Sequence, residues 1–240
     1  MKINKKFFMQ NGFLILNNAL KKSQLKKLNL NANQMIKDFK EGIDRRQSAT
    51  SSRRKHKDIS KNGKIFFGNQ CEYYSYINSY AKSNFLKKIA QQILGKKIYL
   101  FNEQLVNKSP NTPSSFSWHQ DSGYIHFEHK PYLSVWLALT DTNLNNGTLS
   151  IIPTNLNKIK YAKKHVWQEN SKDLGIKVNN NKKLDICAKA GTLVLFSSLT
   201  PHSSCANQTN KNRKAYLSQY SSENIIDPFN GIQRGRAYLM

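Results

Sequence analysis

The chain is poor in acidic residues, in cysteine and in long apolar runs. Its three cysteines, Cys71, Cys187 and Cys205, lie far apart and form no CxxC pair. Neither a disulfide framework nor a zinc ribbon is therefore indicated. The apolar run at residues 12–16 is much shorter than the roughly 18 residues of a membrane helix, and it is too short for the core of a signal peptide. We expect a soluble protein of a reducing, cytoplasmic compartment.

The scarcity of acidic residues leaves a large positive charge. There are 14 Asp and Glu against 38 Lys and Arg, a formal net charge of +24. Such an excess could attract a nucleic acid, an anionic membrane surface or an anionic substrate, and the basic segment 45–57 is the densest candidate. It could equally reflect composition, because lysine is scattered along the chain and is not interleaved with aromatic residues on one element. We favour composition and do not expect nucleic acid as a partner.

Apolar periodicity predicts helices in the first 95 residues of what we interpret as a single domain of 240 residues. One helix is expected over residues 23–41, with Ser23 as its N-cap and Gly42 as its stop. A second, over residues 83–95, has apolar residues at the spacing of one helical face. Gly95 is expected to follow it in a left-handed conformation. We therefore expect residues 1–95 to be mostly helical.

From residue 96 onward the pattern changes to short β-rich runs separated by turns. The predicted strands are residues 98–106, 115–119, 132–140, 148–152, 183–188, 192–197 and 214–220. Leu133, Val135 and Leu137 alternate with their neighbours at period two, and residues 145–147 (Asn-Asn-Gly) form a tight-turn signal. Short strands without intervening helices predict a mainly β fold with flanking helices, of the sandwich or jelly-roll type.

A possible metal site follows one of these strands. Residues i and i+2 of an extended backbone point the same way, so His119 and Asp121 can reach one ion together. Two histidines and one carboxylate leave open positions suited to non-haem iron(II) and O₂, and His202 is a candidate for the second histidine. H-x-[DE] matches also occur at residues 56–58 and 126–128. The match at residues 56–58 lies in the basic segment, where no rigid scaffold would fix its geometry. The extended strand that leads to His119 favours the match at residues 119–121 but does not settle the choice.

The motif His119-Gln120-Asp121, the distal His202 and Arg213 together resemble the phytanoyl-CoA dioxygenase family of iron(II)- and 2-oxoglutarate-dependent oxygenases. The resemblance covers nearly the whole chain, and ectoine hydroxylases are similar over the same segments. The further matching segments are residues 7–16, 106–110, 132–141, 146–149 and 190–196. It implies a double-stranded β-helix (jelly roll, cupin-like) that binds Fe(II), 2-oxoglutarate and O₂.

The resemblance also implies a role for individual residues. His119, Asp121 and His202 would hold the metal, and Arg213 would bind the distal carboxylate of 2-oxoglutarate, since a planar guanidinium can hold a carboxylate at two points. The other residues implied at the co-substrate are Ser204, Gln120, Trp136 and, as a weaker match, Asn107. The implied reaction is hydroxylation of a small-molecule substrate with release of succinate and CO₂.

Three alternatives stay open at this point. A nucleic-acid-modifying 2-oxoglutarate oxygenase would account for the charge, but such enzymes usually carry further arginines after the one that binds 2-oxoglutarate. A catalytically silent cupin-like binding protein is a different class, against which the complete ligand set and Arg213 argue. In related halogenases a small residue replaces the acidic ligand, so Asp121 argues for hydroxylation.

The compositional interpretation of the charge predicts salt-sensitive binding of nucleic acid. Association driven only by charge weakens steeply with salt, because it depends on the release of counterions. Any binding of labelled DNA or RNA, followed by fluorescence anisotropy, should be lost between low and physiological salt. Tight, sequence-selective binding at physiological salt would contradict this interpretation.

Overall fold

The computed structural model describes residues 2–43 and 64–240. The predicted basic loop at residues 45–57 and the H-x-D match at residues 56–58 lie outside the described residues. Within the described ranges, none of the helices is both long and apolar enough to cross a membrane.

The described residues form four α-helices and thirteen strands. The helices are α1 (Lys5–Asn11), α2 (Lys22–Lys40), α3 (Ser75–Ala81) and α4 (Asn84–Leu94). The strands are β1 (Phe13–Leu16), β2 (Lys64–Gly68), β3 (Tyr99–Lys108), β4 (Phe116–His119), β5 (Leu133–Ala138), β6 (Leu149–Ile151), β7 (Val166–Gln168), β8 (Asp173–Gly175), β9 (Leu184–Ile186), β10 (Leu193–Ser197), β11 (His202–Ser204), β12 (Arg213–Ser221) and β13 (Tyr238–Leu239). All seven predicted strands are present, and no end differs from the prediction by more than two residues.

Two antiparallel sheets make up the β-rich part. The larger has the order β1-β10-β5-β12-β3, with β2 and β13 both pairing with the free edge of β3. The smaller has the order β4-β11-β6-β9, and β7 and β8 form a separate hairpin. This is the predicted jelly roll with flanking helices, which is confirmed.

Alternation along the central strands gives the larger sheet two different faces. Trp136 and Ala138 of β5 pack between the sheets, with Leu149 and Ile151 of β6 in the same apolar cluster. Leu133, Val135 and Leu137 point the other way and join a second cluster with buried residues of the helices. Every residue of β5 is buried as a result. Polar side chains on the inner face of this sheet therefore lie in the space between the two sheets.

The N-terminal part is less purely helical than predicted. All four helices lie within it, but β1 pairs with β10 along Phe13–Leu16, and β2 pairs with β3. These strands are only four and five residues long, which is too short for a clear period in the sequence. The first 95 residues therefore contribute strands to the larger sheet as well as helices that cover it.

Two helix ends differ from the prediction. Helix α2 begins at Lys22 with Lys21 as its N-cap, because the side chain of Gln24 accepts the backbone N–H of Lys21 at 3.0 Å. Ser23 consequently lies inside the first turn, and its assignment as the N-cap was wrong. Gly95 ends α4 with φ +109° and ψ −170°, a conformation open to glycine that is not the predicted left-handed helical one. Gly42, with φ +85°, follows the end of α2 as expected.

The turn between α1 and β1 requires glycine. Gly12 has φ +76°, and a Cβ atom there would lie 2.5 Å from Thr200 Oγ1 and 2.9 Å from the carbonyl oxygen of Thr154. The carbonyl of Gly12 also accepts the Thr200 hydroxyl at 2.7 Å and the N–H of Ser197 at 2.9 Å. These hydrogen bonds hold the turn between α1 and β1 against the end of β10 and the loop that follows it.

We expect Gly12→Ala to destabilise the fold more than Gly42→Ala. Both glycines have positive φ, but nothing lies within 4 Å of a Cβ atom at position 42, so only the change at Gly12 adds overpacking. Because of this overpacking, the unfolding free energy of Gly12→Ala should be about 1–3 kcal/mol lower than that of Gly42→Ala. Urea denaturation of the two variants measures this difference. If both variants lose the same unfolding free energy, the close contact at Gly12 does not constrain the turn.

Candidate metal centre

The pairing of two short strands brings the predicted ligands together. His119 is the last residue of β4 and His202 the first of β11, and the two face each other in the antiparallel register of these strands. Asp121 follows two residues later, in a short 3-10 turn over Asp121–Tyr124. Asp121 and His202 are buried, and His119 is almost so.

The donor atoms of the three residues converge. Asp121 Oδ1 lies 3.9 Å from His119 Nε2 and 3.6 Å from His202 Nε2. These donor atoms all lie within 4.8 Å of one another, and no other group of three or more His, Cys, Asp or Glu residues in the described ranges could hold a metal ion in this way. His126 and Glu128 of the competing match are both exposed and outside the cluster.

Both imidazoles are oriented by the backbone. Nδ1 of His119 lies 2.7 Å from the carbonyl oxygen of Ser117, and Nδ1 of His202 lies 3.0 Å from that of Thr200. A carbonyl only accepts, so each Nδ1 carries the proton and each Nε2 offers its lone pair to the centre. Burial, and then the neighbouring His202, lower the pKa of His119 to about 4, which keeps that ring neutral and able to coordinate at neutral pH.

The carboxylate of Asp121 is held through one oxygen. Its Oδ2 accepts from the Ser134 hydroxyl at 2.5 Å and from Gln219 Nε2 at 2.9 Å. Gln219 is in turn oriented by Asn102, whose Nδ2 donates to Gln219 Oε1 at 2.7 Å. Oδ1 is left facing the two imidazoles. Sequence reasoning missed these three residues, which come from β3, β5 and β12 and carry no local signal.

Gln120, which lies between His119 and Asp121 in the sequence, is buried. Its side-chain Nε2 donates to the carbonyl of Leu199 at 2.5 Å, and its Oε1 accepts the N–H of Lys163 at 2.7 Å. Its own N–H donates to His165 Nε2 at 2.9 Å. Each polar end of the side chain thus has a backbone partner, which fixes the orientation of the amide. The expected co-substrate role of Gln120 stays a prediction.

Arg213 and Ser204 lie together on the inner side of the sheets. Arg213 is buried, its Nη2 lies 3.4 Å from Ser204 Oγ, and its buried Nε has no hydrogen-bond partner among the described residues. Ser204 and His202 are two residues apart on β11, and both are buried, so Ser204 lies roughly 7 Å along the strand from the metal ligand. Burial lowers the pKa of Arg213 to about 10, which still leaves it charged at neutral pH. A buried guanidinium with an unused donor suits a carboxylate ligand.

The structure does not bring Asn107 to this group. Asn107 pairs with Lys214, and Lys214 donates to Asn33 of α2, so this pair belongs to the face that the helices cover. The side chain of Asn107 donates to Ser109 and Asn212. The neighbouring Lys108 pairs with Arg213 on the inner face. The weak match at Asn107 is therefore corrected, because strand alternation gives the position beside Arg213 to Lys108.

Trp136 lies on the inner face of β5, two residues from Ser134. Its strand neighbours are Val194 of β10 and Leu217 of β12, and it is buried in the apolar cluster between the sheets. Trp136 therefore packs in the core, and the co-substrate role that the resemblance implies for it stays a prediction.

The donor set matches the chemistry of one metal. Two neutral imidazole nitrogens and one carboxylate oxygen on one side of an ion are the facial arrangement of non-haem iron(II) oxygenases, in which the other positions are open to co-substrate and O₂. The buried, unpaired donor of Arg213 close by suits an anionic co-substrate. The residues present therefore fit both Fe(II) and 2-oxoglutarate.

Comparison with known proteins agrees with this chemistry. The family model for phytanoyl-CoA dioxygenase matches residues 8–215. A probable alpha-ketoglutarate-dependent hypophosphite dioxygenase of Stutzerimonas stutzeri is 23% identical over 156 residues, covering 62% of this chain and 54% of that protein. A 2-aminoethylphosphonate dioxygenase of the uncultured bacterium HF130_AEPn_1 is 24% identical over 154 residues, covering 64% and 57%. The chain spans little more than half the length of these curated relatives.

Solved structures share the fold at low sequence identity. The epimerase SnoN, in complex with Fe³⁺, alpha ketoglutarate and nogalamycin RO, superposes with a TM-score of 0.71 at 14% identity, covering 98% of this chain and 92% of that one. EctD from S. alaskensis, with 2-oxoglutarate and 5-hydroxyectoine, has a TM-score of 0.70 at 19% identity, covering 97% and 80%.

We expect Gln219→Leu to weaken the binding of Fe(II). The substitution removes a donor from Asp121 Oδ2 and leaves Asn102 without its acceptor, and loss of such supporting contacts typically costs 10–100-fold in metal affinity. Ser218→Ala, next to it on the strand, is the matched control and should change little. Competition with a chromophoric chelator under anaerobic conditions measures both affinities. Equal affinity in Gln219→Leu and the unmodified protein would remove Gln219 from the support of Asp121.

Proposed function

The chain belongs to the phytanoyl-CoA dioxygenase family, and on that premise we propose that it is an Fe(II)- and 2-oxoglutarate-dependent dioxygenase that hydroxylates a small molecule. The observation that carries the proposal is the convergence of His119 Nε2, His202 Nε2 and Asp121 Oδ1, with a buried guanidinium nearby on the same side. Bound iron and 2-oxoglutarate would supply the chemistry, in which O₂ is consumed, 2-oxoglutarate becomes succinate and CO₂, and the substrate gains a hydroxyl group.

The protein's own part is to hold the metal in one geometry. His119 and His202 are neutral donors whose rings are fixed by backbone carbonyls, and Asp121 presents a single oxygen because its other oxygen is held by Ser134 and Gln219. A carboxylate fixed in this way would hold an Fe(II) ion together with His119 and His202 through one oxygen. No side chain is needed as a general base.

We assign the distal carboxylate of 2-oxoglutarate to Arg213, assisted by Ser204. Arg213 is buried and charged, and its unpaired Nε and the contact of its Nη2 with Ser204 Oγ support this role. The spacing from His202 to Ser204 along β11 suits a diacid that reaches from the metal to the guanidinium. Trp136 would form an apolar wall beside it and exclude water.

A small-molecule substrate is favoured over a nucleic acid. The relatives named above are described as acting on hypophosphite and 2-aminoethylphosphonate, which are small molecules. The opposite proposal would rest on the charge of +24 alone. We further propose a reducing, cytoplasmic setting, with which the three unpaired cysteines agree.

Slow turnover without substrate separates an enzyme from a silent binding protein. With Fe(II), 2-oxoglutarate and O₂, the purified protein should release succinate at a low rate in the absence of primary substrate. A protein that binds both iron and 2-oxoglutarate but releases no succinate, alone or with a library of small metabolites, would favour the cupin-like binding alternative.

Two substitutions of Arg213 distinguish the contribution of its positive charge to 2-oxoglutarate binding from that of its planar guanidinium geometry. Losing a buried contact between charged groups costs on the order of 2–5 kcal/mol, so Arg213→Ala should bind 2-oxoglutarate roughly thirty- to several-thousand-fold more weakly. Arg213→Lys keeps the charge without the planar two-point donor and should recover part of the loss. Calorimetric titration of the Fe(II)-loaded variants without oxygen measures these affinities.

The affinity for Fe(II) without co-substrate serves as the control in both variants. It should change little, because Arg213 does not contact the ligand set. A surface arginine would instead give ratios near one for 2-oxoglutarate in both substitutions, and an alanine variant with unchanged affinity would remove Arg213 from the site.

A further inference from the structure

A buried ion pair lies beside β4, outside the group of metal ligands. Lys64 of β2 and Asp173 of β8 are 3% and 8% exposed, and Lys64 Nζ lies 3.0 Å from Asp173 Oδ2. No other ion pair of a Lys or Arg in the described ranges has both side chains buried. An apolar pair of similar volume often stabilises a fold as well as a buried ion pair or better. Stability alone therefore does not account for this pair.

The strand that carries His119 has little backbone pairing of its own. β4 is four residues long and forms an edge of the smaller sheet. Its only partner in that sheet among the described residues is β11, and the register of the two strands shifts between His202 and Ser204. Segments with few backbone hydrogen bonds move readily. The position of His119, the last residue of β4, therefore depends on contacts from outside this sheet.

Lys64 holds the start of β4. Its Nζ donates to the carbonyl of Ser115 at 2.7 Å and lies 4.3 Å from the centre of the Phe116 ring. It also donates to the carbonyl of Ser171 at 2.9 Å, just before β8. A cation over an aromatic face is attracted to the ring, and more strongly where water is excluded. Lys64 thus fixes both the backbone and the first side chain of the strand.

Asp173 holds the next residue, Ser117, by two routes. Its Oδ2 accepts the Ser117 N–H at 3.4 Å. Its Oδ1 accepts the Ser171 hydroxyl at 2.7 Å, and the oxygen of that hydroxyl lies 2.5 Å from Ser117 Oγ. The carbonyl of Ser117 in turn accepts the Nδ1–H of His119 at 2.7 Å. The residue that orients the imidazole is therefore the one that Asp173 holds.

The hairpin strand β8 lies directly against this part of β4. A Cβ atom at Gly175 would lie 2.8 Å from Ser117 Cβ and 3.2 Å from the carbonyl oxygen of Trp118. That carbonyl accepts the N–H of Ile176 at 2.7 Å. The edge of β4 that does not face β11 is thus covered by β8, and the ion pair joins this cover to β2 of the larger sheet.

We propose that the buried ion pair of Lys64 and Asp173 positions the metal ligand His119, acting through Ser117. The proposal rests on the proposed function and adds two residues to it. Neither belongs to the group that could hold the ion, so both act through the orientation of the ring. The group that accepts the free N–H of a ligating histidine sets the direction of the ring and its strength as a ligand. Loss of the pair should therefore weaken metal binding in a protein that still folds.

The first test replaces both charges by apolar side chains. A single substitution would leave one buried charge without its partner, which is strongly destabilising, whereas the double variant Lys64→Met/Asp173→Leu leaves none. We expect it to bind Fe(II) about 10–100-fold more weakly, the usual loss when a contact that supports a ligand is removed. Its melting temperature should stay the same or rise. Anaerobic competition with a chromophoric chelator and circular dichroism measure the two quantities.

Two further variants separate positioning from a general loss of packing. Tyr216→Phe removes a hydroxyl that donates to Glu103 at 2.5 Å on the face that the helices cover. It should lower the melting temperature and leave the Fe(II) affinity unchanged. Lys64→Met/Asp173→Asn keeps an oxygen acceptor at position 173 without a buried charge. It should recover part of the affinity that the double variant with leucine loses.

Proton NMR of the Co(II)-substituted protein observes the two histidine ligands separately. Each ring that binds through Nε2 keeps its Nδ1–H, and each should give one exchangeable signal shifted by the paramagnetic ion. In Lys64→Met/Asp173→Leu the signal of His119 should move and exchange faster with water. The signal of His202, whose Nδ1–H donates to the carbonyl of Thr200, should stay unchanged.

The outcomes distinguish this proposal from the proposed function. If Lys64→Met/Asp173→Leu binds Fe(II) as tightly as the unmodified protein, or if both histidine signals change together, the ion pair does not position His119 and the proposed function stands. Weaker binding with a change in one signal alone supports the proposal. If the unmodified protein binds neither Fe(II) nor Co(II), the proposed function itself fails.

Discussion

The pairing of β4 with β11 is the constraint on which the centre depends. It places His119 and His202 opposite each other although 83 residues separate them in the chain, and it does so at the point where β4 ends and the chain turns at Asp121. Register in a sheet is fixed by which face is buried, and a slip of β11 by one residue would turn His202 to the other face, away from His119 and Asp121. The apolar face of the smaller sheet thus also sets the geometry of the ligands.

The polar groups between the sheets form two regions of opposite charge. Asp121 lies at one end, supported by Ser134 and Gln219, and Arg213 and Lys108 lie at the other. Each region would be costly in an apolar interior if left alone. A metal ion at the first and a carboxylate at the second would compensate both. A co-substrate that binds iron at one end and carries a carboxylate at the other fits this distribution of charge.

Local spacing and residue type predicted only part of this arrangement. The jelly roll followed from short alternating strands, and His119 with Asp121 from their spacing on an extended backbone. The co-substrate role of Arg213 was inferred from the resemblance to a family. Such a resemblance gives the approximate position of a residue but does not show which face of the sheet its side chain occupies. Asn107 and Lys108 show the consequence, since a shift of one residue moves a side chain to the other side of the sheet. Gln219 could not be found from sequence, because its contact with Asp121 spans 98 residues and amide side chains are common on strands.

The stoichiometry of iron binding tests the central claim most directly. Under anaerobic conditions the unmodified protein should bind one Fe(II) per chain, and Asp121→Ala should lose most of that binding while remaining folded by circular dichroism. His126→Ala, taken from the competing H-x-E match, should still bind one ion per chain. Full iron binding by Asp121→Ala, or its loss in His126→Ala, would contradict the assignment of the metal centre to His119, Asp121 and His202.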